Sequence, residues 1–421
     1  MARHAPIRLA GMIAATATFA AAATEAPAQQ APVCDPLTGA ACSSNQVQTG
    51  DVLSSVNLDV GVGQLQVSVE TQGNVLRGGV VGTSGAMISR QDNRGLVQGG
   101  VVLAVSGAED GATIDNHVRG NNFEAYTGDA VFTVDAAQVS TGPAVRASTD
   151  IQAGDSAITG GGYVSTSATA NNVAIGGPRS QVLGAIDQTA QTTVFSETVA
   201  DIRYVPATAS FSSRATANAV QAGTTGSSHQ DLAIRQENRA STTVAQTDVY
   251  IDNAWDVSAD AQARGNYADA GNEGGSMVIR SDQSNAGRVR AETRLRTDLY
   301  GAALATARAV ANETIAGNDD IYLSLDNTQI NTGGVEAVAT FQGNTGYDAY
   351  VGADAIGNAV SGYVCSTCGG EVNVSNTQVN SGDVSAVVNV GAGRTGGSRA
   401  AVVGANAAGN SATFYVSRPG G

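Results

Sequence analysis

The stretch Asn376-Thr-Gln-Val-Asn-Ser-Gly-Asp-Val384 contains a phrase that the 421-residue chain repeats eight times. In six of the eight copies a glycine follows the glutamine four residues later, as Gly382 does here, and in six a valine follows six residues later, as Val384 does. A unit of about 47 residues is too short to bury its own apolar face, so this period predicts stacked structural repeats. The phrase opens at Gln46, Gln91, Gln138, Gln188, Gln236, Gln283, Gln329 and Gln378.

A second marker keeps the same period, an asparagine about thirty residues after each glutamine. Because asparagine is common in turns, we interpret this marker as turn chemistry at a strand end. The glutamines have two interpretations. They form a ladder in which each side-chain amide bonds the copies above and below, or they are polar turn residues carried along by duplication. Glutamine is not a preferred turn residue, which favours the ladder. The asparagines are Asn74, Asn121, Asn171, Asn218, Asn266, Asn312, Asn358 and Asn410.

Within one repeat the apolar residues alternate with polar ones. After Gln378, valine and alanine at 384, 386, 388 and 390 alternate with polar residues, and in the sixth copy Val289 to Arg296 alternates apolar with mostly charged side chains. Period two indicates half-buried strands with charge on the outer face. Two more strands are expected per repeat, over alanine-rich stretches such as 349–356 and before the next glutamine, as at 320–326.

The predicted fold class is therefore all-β, an elongated parallel β-solenoid or β-helix of about eight 47-residue repeats. Whether one repeat winds one coil or two stays open. The segment 291–313 is rich in Ala, Leu and Arg and has the composition of a helix. Its alignment with strand-like copies leads us to expect β-structure there.

The ends of the chain predict export and a short cap. Arg3 and Arg8 precede the apolar run of 9–22 and a small-residue cleavage site at 26–28, so residues 1–28 are expected to be a signal peptide. Residues 29–45 form an N-terminal cap, and 46–421 the repetitive solenoid domain. No later apolar stretch is long enough for a transmembrane helix. The expected location is the outer membrane-associated cell surface or the extracellular space.

Four cysteines form two local pairs, Cys34 with Cys42 and Cys365 with Cys368. An oxidising destination favours two small disulfides. A redox role would need a CxxC at a helix start, whereas the neighbours here are glycine and valine. A four-thiolate zinc site is disfavoured because the pairs are far apart in sequence and differ in spacing.

Charge and motifs argue against nucleic-acid binding and against catalysis. The 37 acidic residues outnumber 22 basic ones, which gives a net charge of −15, opposite to the basic face that phosphate backbones require. His117 and His229 lie 112 residues apart and are expected in exposed loops. No catalytic residue, cofactor or metal site is predicted, and the chain is not expected to be an enzyme.

One enzymatic alternative stays open, a carbohydrate-active β-helix enzyme acting on an extracellular polysaccharide. Its candidate residues are carboxylates four positions apart around Trp255, the only tryptophan, which could stack on a sugar. They are Asp248, Asp252, Asp256 and Asp260.

The chain resembles the holdfast anchor proteins of the HfaD type, exported surface proteins of stalked alphaproteobacteria. The resemblance rests on the signal peptide, the Cys34 to Cys42 segment followed by Asn45-Gln-Val-Gln-Thr-Gly-Asp-Val52, and the Val/Ala/Asn/Gly repeats. It implies a cell-surface structural or adhesion protein that anchors adhesive polysaccharide (holdfast) to the envelope beside other anchor proteins.

The last predicted strand, 412–417, has no evident polar cap. Unpaired strand edges recruit partners. The expected partners are other surface anchor proteins or a second copy bound through this open edge, and extracellular polysaccharide.

Overall fold

The computed structural model describes residues 33–35, 41–61, 63–106, 111–240, 242–320, 322–365, 370–392 and 400–417. The predicted signal peptide and Cys368 lie outside these residues. The described chain is built of strands and turns, and it offers no helix of the length and apolarity that crossing a membrane requires.

The strands follow one another as a long series of short and long elements. In chain order they are β1 (Val33–Asp35), β2 (Ala41–Gln48), β3 (Val52–Val60), β4 (Leu65–Val81), β5 (Ser84–Asn93), β6 (Val97–Val105), β7 (Ala112–Gly128), β8 (Val131–Ser140), β9 (Ala144–Ala157), β10 (Gly162–Pro178), β11 (Gln181–Ala190), β12 (Thr193–Thr225), β13 (His229–Asn238), β14 (Thr242–Asn272), β15 (Ser276–Asn285), β16 (Arg288–Asn318), β17 (Tyr322–Asn331), β18 (Val335–Cys365), β19 (Glu371–Asn380), β20 (Val384–Ala392) and β21 (Ala400–Ser417).

Two sheets contain all of these strands. The first sheet has nine, in the order β1-β2-β5-β8-β11-β13-β15-β17-β19, and the second has twelve. The second sheet is bent: in coils four to seven a single long strand (β12, β14, β16 and β18) runs through the corner, whereas in the other coils two shorter strands form the two arms. The register between β12 and β14 slips at this corner, between Val205 and Thr208.

Equivalent residues of successive repeats pair directly and in parallel. Gln283 lies opposite Gln329 in the first sheet, and Asn266 lies opposite Asn312 in the second. One repeat therefore winds one coil, which answers the question that the sequence left open. At about 4.8 Å per coil, eight coils extend roughly 35 to 40 Å. The predicted parallel β-solenoid is confirmed, and β1 adds an antiparallel pairing along the start of β2.

The interior consists of two apolar clusters. One fills the bend of the second sheet and includes Phe211 and Phe341, and the other lies against the first sheet and includes Phe123 and Phe132. Along β10, Ala170 belongs to the first cluster and Val173 to the second. The asparagine between them, Asn171, is fully buried. A polar layer thus separates the two clusters.

The segment with helical composition is a strand. Residues 291–313 lie within β16, where Val289, Ala291 and Leu295 are buried and Arg294 and Arg296 are exposed, as the alternation predicted. Intrinsic helix propensity is a weak preference, and pairing on both sides with β14 and β18 outweighs it.

The glycine of the repeated phrase is required by the spacing of the coils. A Cβ on Gly333 would lie 2.0 Å from the carbonyl oxygen of Gly287, and one on Gly287 would lie 2.2 Å from that of Ala240. Both distances are far inside van der Waals contact, and the atom met is backbone. The neighbouring Gly334 has open space around its Cβ position.

We expect Gly333→Ala to lower the free energy of unfolding by about 1 to 3 kcal/mol, because the turn of coil six must shift. Chemical denaturation followed by circular dichroism measures this change. Gly334→Ala is the matched control and should change stability by less than about 0.5 kcal/mol. Equal effects of the two substitutions would contradict the close approach.

Candidate functional site: amide ladders and an exposed corner

The repeated glutamines stack in one column of the first sheet. Seven of them are at most 4% exposed, and Gln378, in the last coil, is partly exposed. Each side-chain Nε2 donates to the Oε1 of the preceding copy at 2.7 to 2.9 Å. The hydrogen bonds therefore run in one direction through all eight coils.

Each glutamine amide also crosses to the second sheet. Its other N–H donates to the backbone carbonyl of the residue that follows the asparagine marker, as from Gln236 to Tyr267 at 2.9 Å and from Gln283 to Glu313 at 3.0 Å. All eight copies make this bond, at 2.7 to 3.1 Å. One side chain thus connects two coils and two sheets.

The asparagine markers form a second ladder, so their interpretation as turn residues at strand ends is wrong. Asn312, for example, lies inside β16 and is fully buried. Each Nδ2 donates to the Oδ1 of the following copy at 2.7 to 2.8 Å, opposite in direction to the glutamine ladder. In the copies from Asn121 to Asn358, the second N–H of each asparagine amide donates to a backbone carbonyl of the next coil, that of the residue after its glutamine. These bonds are 2.8 to 3.0 Å long.

The two ladders fix the register of the coils. A buried amide without a partner costs about 1 to 3 kcal/mol, whereas a satisfied one adds a modest net gain. If one strand slipped by two residues, its Val and Ala rows would still face inward, but its amide would leave the column and several buried groups would lose their partners together. The ladders therefore select one alignment among those that the Val and Ala rows would tolerate.

A third, interrupted row was missed from the sequence. Two residues after the glutamine, asparagines bond in series from Asn238 to Asn285, Asn331 and Asn380 at 2.6 to 2.7 Å. Serine and alanine replace asparagine at 140 and 190, which interrupts the row in coils three and four. The Gln-x-Asn spacing of the phrase was the signal that could have revealed it.

The described cysteines are Cys34 and Cys42 in the first coil and Cys365 in coil seven. The antiparallel pairing of β1 and β2 places the backbone of Cys34 directly opposite that of Cys42. Cys365 is the last residue of β18, and its predicted partner Cys368 lies outside the described residues. Both disulfides stay predictions.

The histidines are not exposed loop residues, so that expectation is wrong. His117 lies within β7 and His229 begins β13, and both are half-buried. Each Nδ1 lies 2.6 Å from a serine hydroxyl one coil further on, that of Ser167 or Ser276. Burial, followed by the charge of Arg119, lowers the pKa of His117. Both rings thus add polar contacts between coils.

The four aspartates of the enzymatic alternative lie on the outer face of β14, two on each arm. At about 3.3 Å per residue, carboxylates four positions apart on a straight arm lie about 13 Å apart, beyond the 5 to 9.5 Å of glycosidase pairs. Asp248 pairs with Arg296 at 2.9 Å, and Asp260 accepts from Thr306 at 2.7 Å. A hydrogen bond to Asp252 raises the pKa of Tyr250 to about 12. Asp252 and Asp256 flank the corner.

The corner carries exposed aromatic side chains. Trp255 is 58% exposed, and the register of the flanking residues makes Gly301 and Tyr347 its equivalents in the next two coils. A Cβ on Gly301 would lie 2.4 Å from the carbonyl oxygen of Trp255, so the position between Trp255 and Tyr347 is held by a residue without a side chain. Tyr347 is 47% exposed, as is Leu299, which pairs with Thr345 two residues before Tyr347.

An open groove of about 590 Å³ continues this surface toward the N-terminal coils, lined by Tyr204 and Asp252 among others. We call the set of Tyr204, Asp252, Trp255, Leu299 and Tyr347 the corner surface. It combines flat apolar faces with hydrogen-bonding groups.

These features define a structural repeat protein, a parallel β-solenoid whose coils are connected by buried amide ladders. The chain belongs to the HfaD family: the family model, described as holdfast attachment protein D, matches residues 59–334, more than half of the chain. No curated protein and no solved structure matches it.

We expect Gln236→Leu to lower the free energy of unfolding by about 3 kcal/mol or more. The substitution removes the donors to Gln188 and Tyr267, and it leaves Gln283 without its acceptor. Gln342→Leu makes the same chemical change on the exposed face of β18 and serves as the control, with an expected effect within about 0.5 kcal/mol. Denaturant titration of both variants measures the difference. Equal changes in the free energy of unfolding for the two variants would contradict a stabilising role of the ladder.

Proposed function

We propose that this protein is exported to the outer membrane-associated cell surface, where it anchors the adhesive polysaccharide of the holdfast to the envelope. The family supports an attachment role at the cell surface. The predicted signal peptide supports export, and a rod of stacked coils supplies a stiff spacer on which binding groups recur at regular distances. In this role the protein binds and holds its ligand and performs no chemistry on it.

The corner surface is the proposed contact with polysaccharide. The observation that carries this proposal is the pair Trp255 and Tyr347, which project from one column two coils apart, about 9.6 Å along the rod. Aromatic faces pack against the apolar faces of sugar rings, while neighbouring carboxylates accept hydrogen bonds from hydroxyl groups. The gap over Gly301 leaves room for a ring to lie between the two side chains.

Binding is favoured over hydrolysis because two of the four acids around Trp255 have other partners. Asp248 is held by arginine and Asp260 by threonine, so Asp252 and Asp256 are the pair that a hydrolytic mechanism could use. Release of reducing ends from extracellular polysaccharide, abolished by Asp252→Asn or Asp256→Asn, would support the enzymatic alternative instead.

We expect the double substitution Trp255→Ala with Tyr347→Ala to weaken binding to purified adhesive polysaccharide by about ten- to a hundredfold, because two stacking faces are lost. Binding is measured by co-sedimentation or surface capture, and retention of holdfast on cells carrying the same variant tests the consequence. Tyr126→Ala is the control, since Tyr126 is 55% exposed near the far end of its arm. Unchanged affinity in the double variant would contradict the proposed contact.

A further inference from the structure

We propose that two copies of this chain form a symmetric dimer through the open face of coil eight, the last described coil, which consists of β19, β20 and β21. The occupant of this face is a second copy of the same chain, related to the first by a two-fold axis. The inference concerns the C-terminal end of the rod and does not rest on polysaccharide binding at the corner.

Coil eight has an open inner face. Among the described residues its strands pair on one side only, β19 with β17, and β20 and β21 with β18. The rows that form core in coil seven are therefore uncovered in coil eight. Val351 and Val364 are at most 3% exposed, whereas their equivalents Val403 and Val416 are 52% and 45% exposed. Phe414, on the same face, is 36% exposed. Coil eight thus presents to solvent an apolar face of the kind that other coils bury.

The two ends of the rod differ in burial. At the N-terminal end Gln46 and Asn74 are at most 4% exposed. At the C-terminal end the equivalent Gln378 is half-buried and Asn410 is exposed. In the part of the chain that the structure describes, the ladders are therefore accessible at the C-terminal end alone. Association through this end joins two copies and then stops, because the dimer has no second open face of the same kind.

The edge strands of coil eight lack the residues that usually protect an open edge. Proteins keep such edges from pairing with charged side chains or proline. β20 has 9 residues and β21 has 18, and neither strand contains a charged residue or a proline. The internal strand β16, by contrast, carries Arg294 and Arg296 on its outer face. Depletion of charge is typical of the centre of a protein interface. The composition therefore indicates an edge that is covered by protein.

The two sides of a coil run in opposite directions. In coil five Gln236 donates to the carbonyl of Tyr267, and Thr247, further along the chain, donates to the carbonyl of Asp260, which precedes Tyr267. The second arm thus returns antiparallel to the first sheet and the first arm. A two-fold axis parallel to the strands and midway between the two sides would place β20 of one copy on β21 of the other. The two edges would then pair as an antiparallel ladder, and each contact would occur twice.

The same axis matches the open amide groups. Gln378 donates one N–H to Gln329 and the other to the carbonyl of Ser411, so its Oε1 is left to accept. Asn410 accepts from Asn358 through Oδ1 and donates one N–H to the carbonyl of Gln378 at 3.5 Å, so its second N–H is left to donate. The axis places each Gln378 over the partner's Asn410. An acceptor therefore meets a donor at two places in the joint.

The face is large enough for a stable dimer. The 18 residues of β21 extend about 60 Å, and the two sides of the coil lie about 10 Å apart, which gives roughly 600 Å² per copy. The total of about 1,200 Å² is at the lower end of specific interfaces. Val388 and Gly404 are the equivalents of Thr247 and Asp260, so the partner's Ala405, next to Gly404, lies close to Val388 in the dimer.

The test places opposite charges on the two strands that the axis brings together. Val388→Glu on β20 and Ala405→Lys on β21 each bury an unpaired charge in a homodimer, so each should raise the dissociation constant by about tenfold or more in analytical ultracentrifugation. An equimolar mixture should restore dimers, because the new carboxylate then meets the new ammonium group. The controls Val387→Glu and Val402→Lys add the same charges to the outer faces of the same strands, at side chains that are 39% and 54% exposed. Both should dimerise as the unaltered chain does.

A nearly isosteric variant serves if Val388→Glu fails to fold by circular dichroism. Asn410→Asp keeps the oxygen that accepts from Asn358 but replaces the outward N–H with an acceptor that faces the partner's Gln378. It should also raise the dissociation constant by about tenfold, whereas Asn373→Asp on the outer face of β19 should leave it unchanged. Three results would overturn the proposal: an unaltered chain that sediments as a monomer at all concentrations, assemblies larger than dimers, or dimers that none of the inward-facing substitutions weakens. A mixture of the two folded charge variants that stays monomeric would overturn the antiparallel pairing of β20 with β21.

Discussion

The fold depends on the requirement that a buried amide group must have hydrogen-bond partners. A carboxamide side chain has two N–H donors and one acceptor oxygen, and in this rod these groups are buried away from solvent. Stacking identical amides at the spacing of parallel strands meets the requirement, because each oxygen accepts from one neighbouring copy and each nitrogen donates to the other. The remaining N–H is used across the interior, where Gln236 reaches Tyr267 and Asn266 reaches Ser284. The hydrogen bonds of the ladder amides in a coil are therefore all made only when another coil lies on each side of it.

Because the ladders set the register, the rest of the coil can vary. Inward rows use Val, Ala, Thr and Ile interchangeably, and turn lengths differ between repeats, with glutamine spacings from 45 to 50 residues. On the outer faces, ion pairs such as Arg90 with Asp135 connect successive coils, but exposed pairs of this kind add little stability. The outer surface is therefore free to vary, and the corner carries the largest exposed side chain of the described residues, that of Trp255.

The sequence predicted the fold well because a period repeated eight times averages out local ambiguity. It placed residues 291–313 in a strand against their helical composition, because seven aligned copies indicated a strand. It did not predict the burial of the asparagine markers, since asparagine is common in turns and only the register shows that Asn312 lies mid-strand with Asn266 and Asn358 as its neighbours. The sequence also did not predict the corner, because the column of Trp255, Gly301 and Tyr347 depends on a bend whose position no local residue pattern specifies.

The direction of stacking has a mechanical consequence for an attachment protein. Strands lie across the rod, so a pull along its axis acts on all the backbone hydrogen bonds between two coils together with the ladder bonds in the interior. Bonds loaded together share the force, whereas a pull at one edge would break them one after another. A ligand held at the corner loads one edge of a coil first, and there β12, β14, β16 and β18 continue without interruption from one arm to the other. Continuous strands pass that load to both arms of the coil.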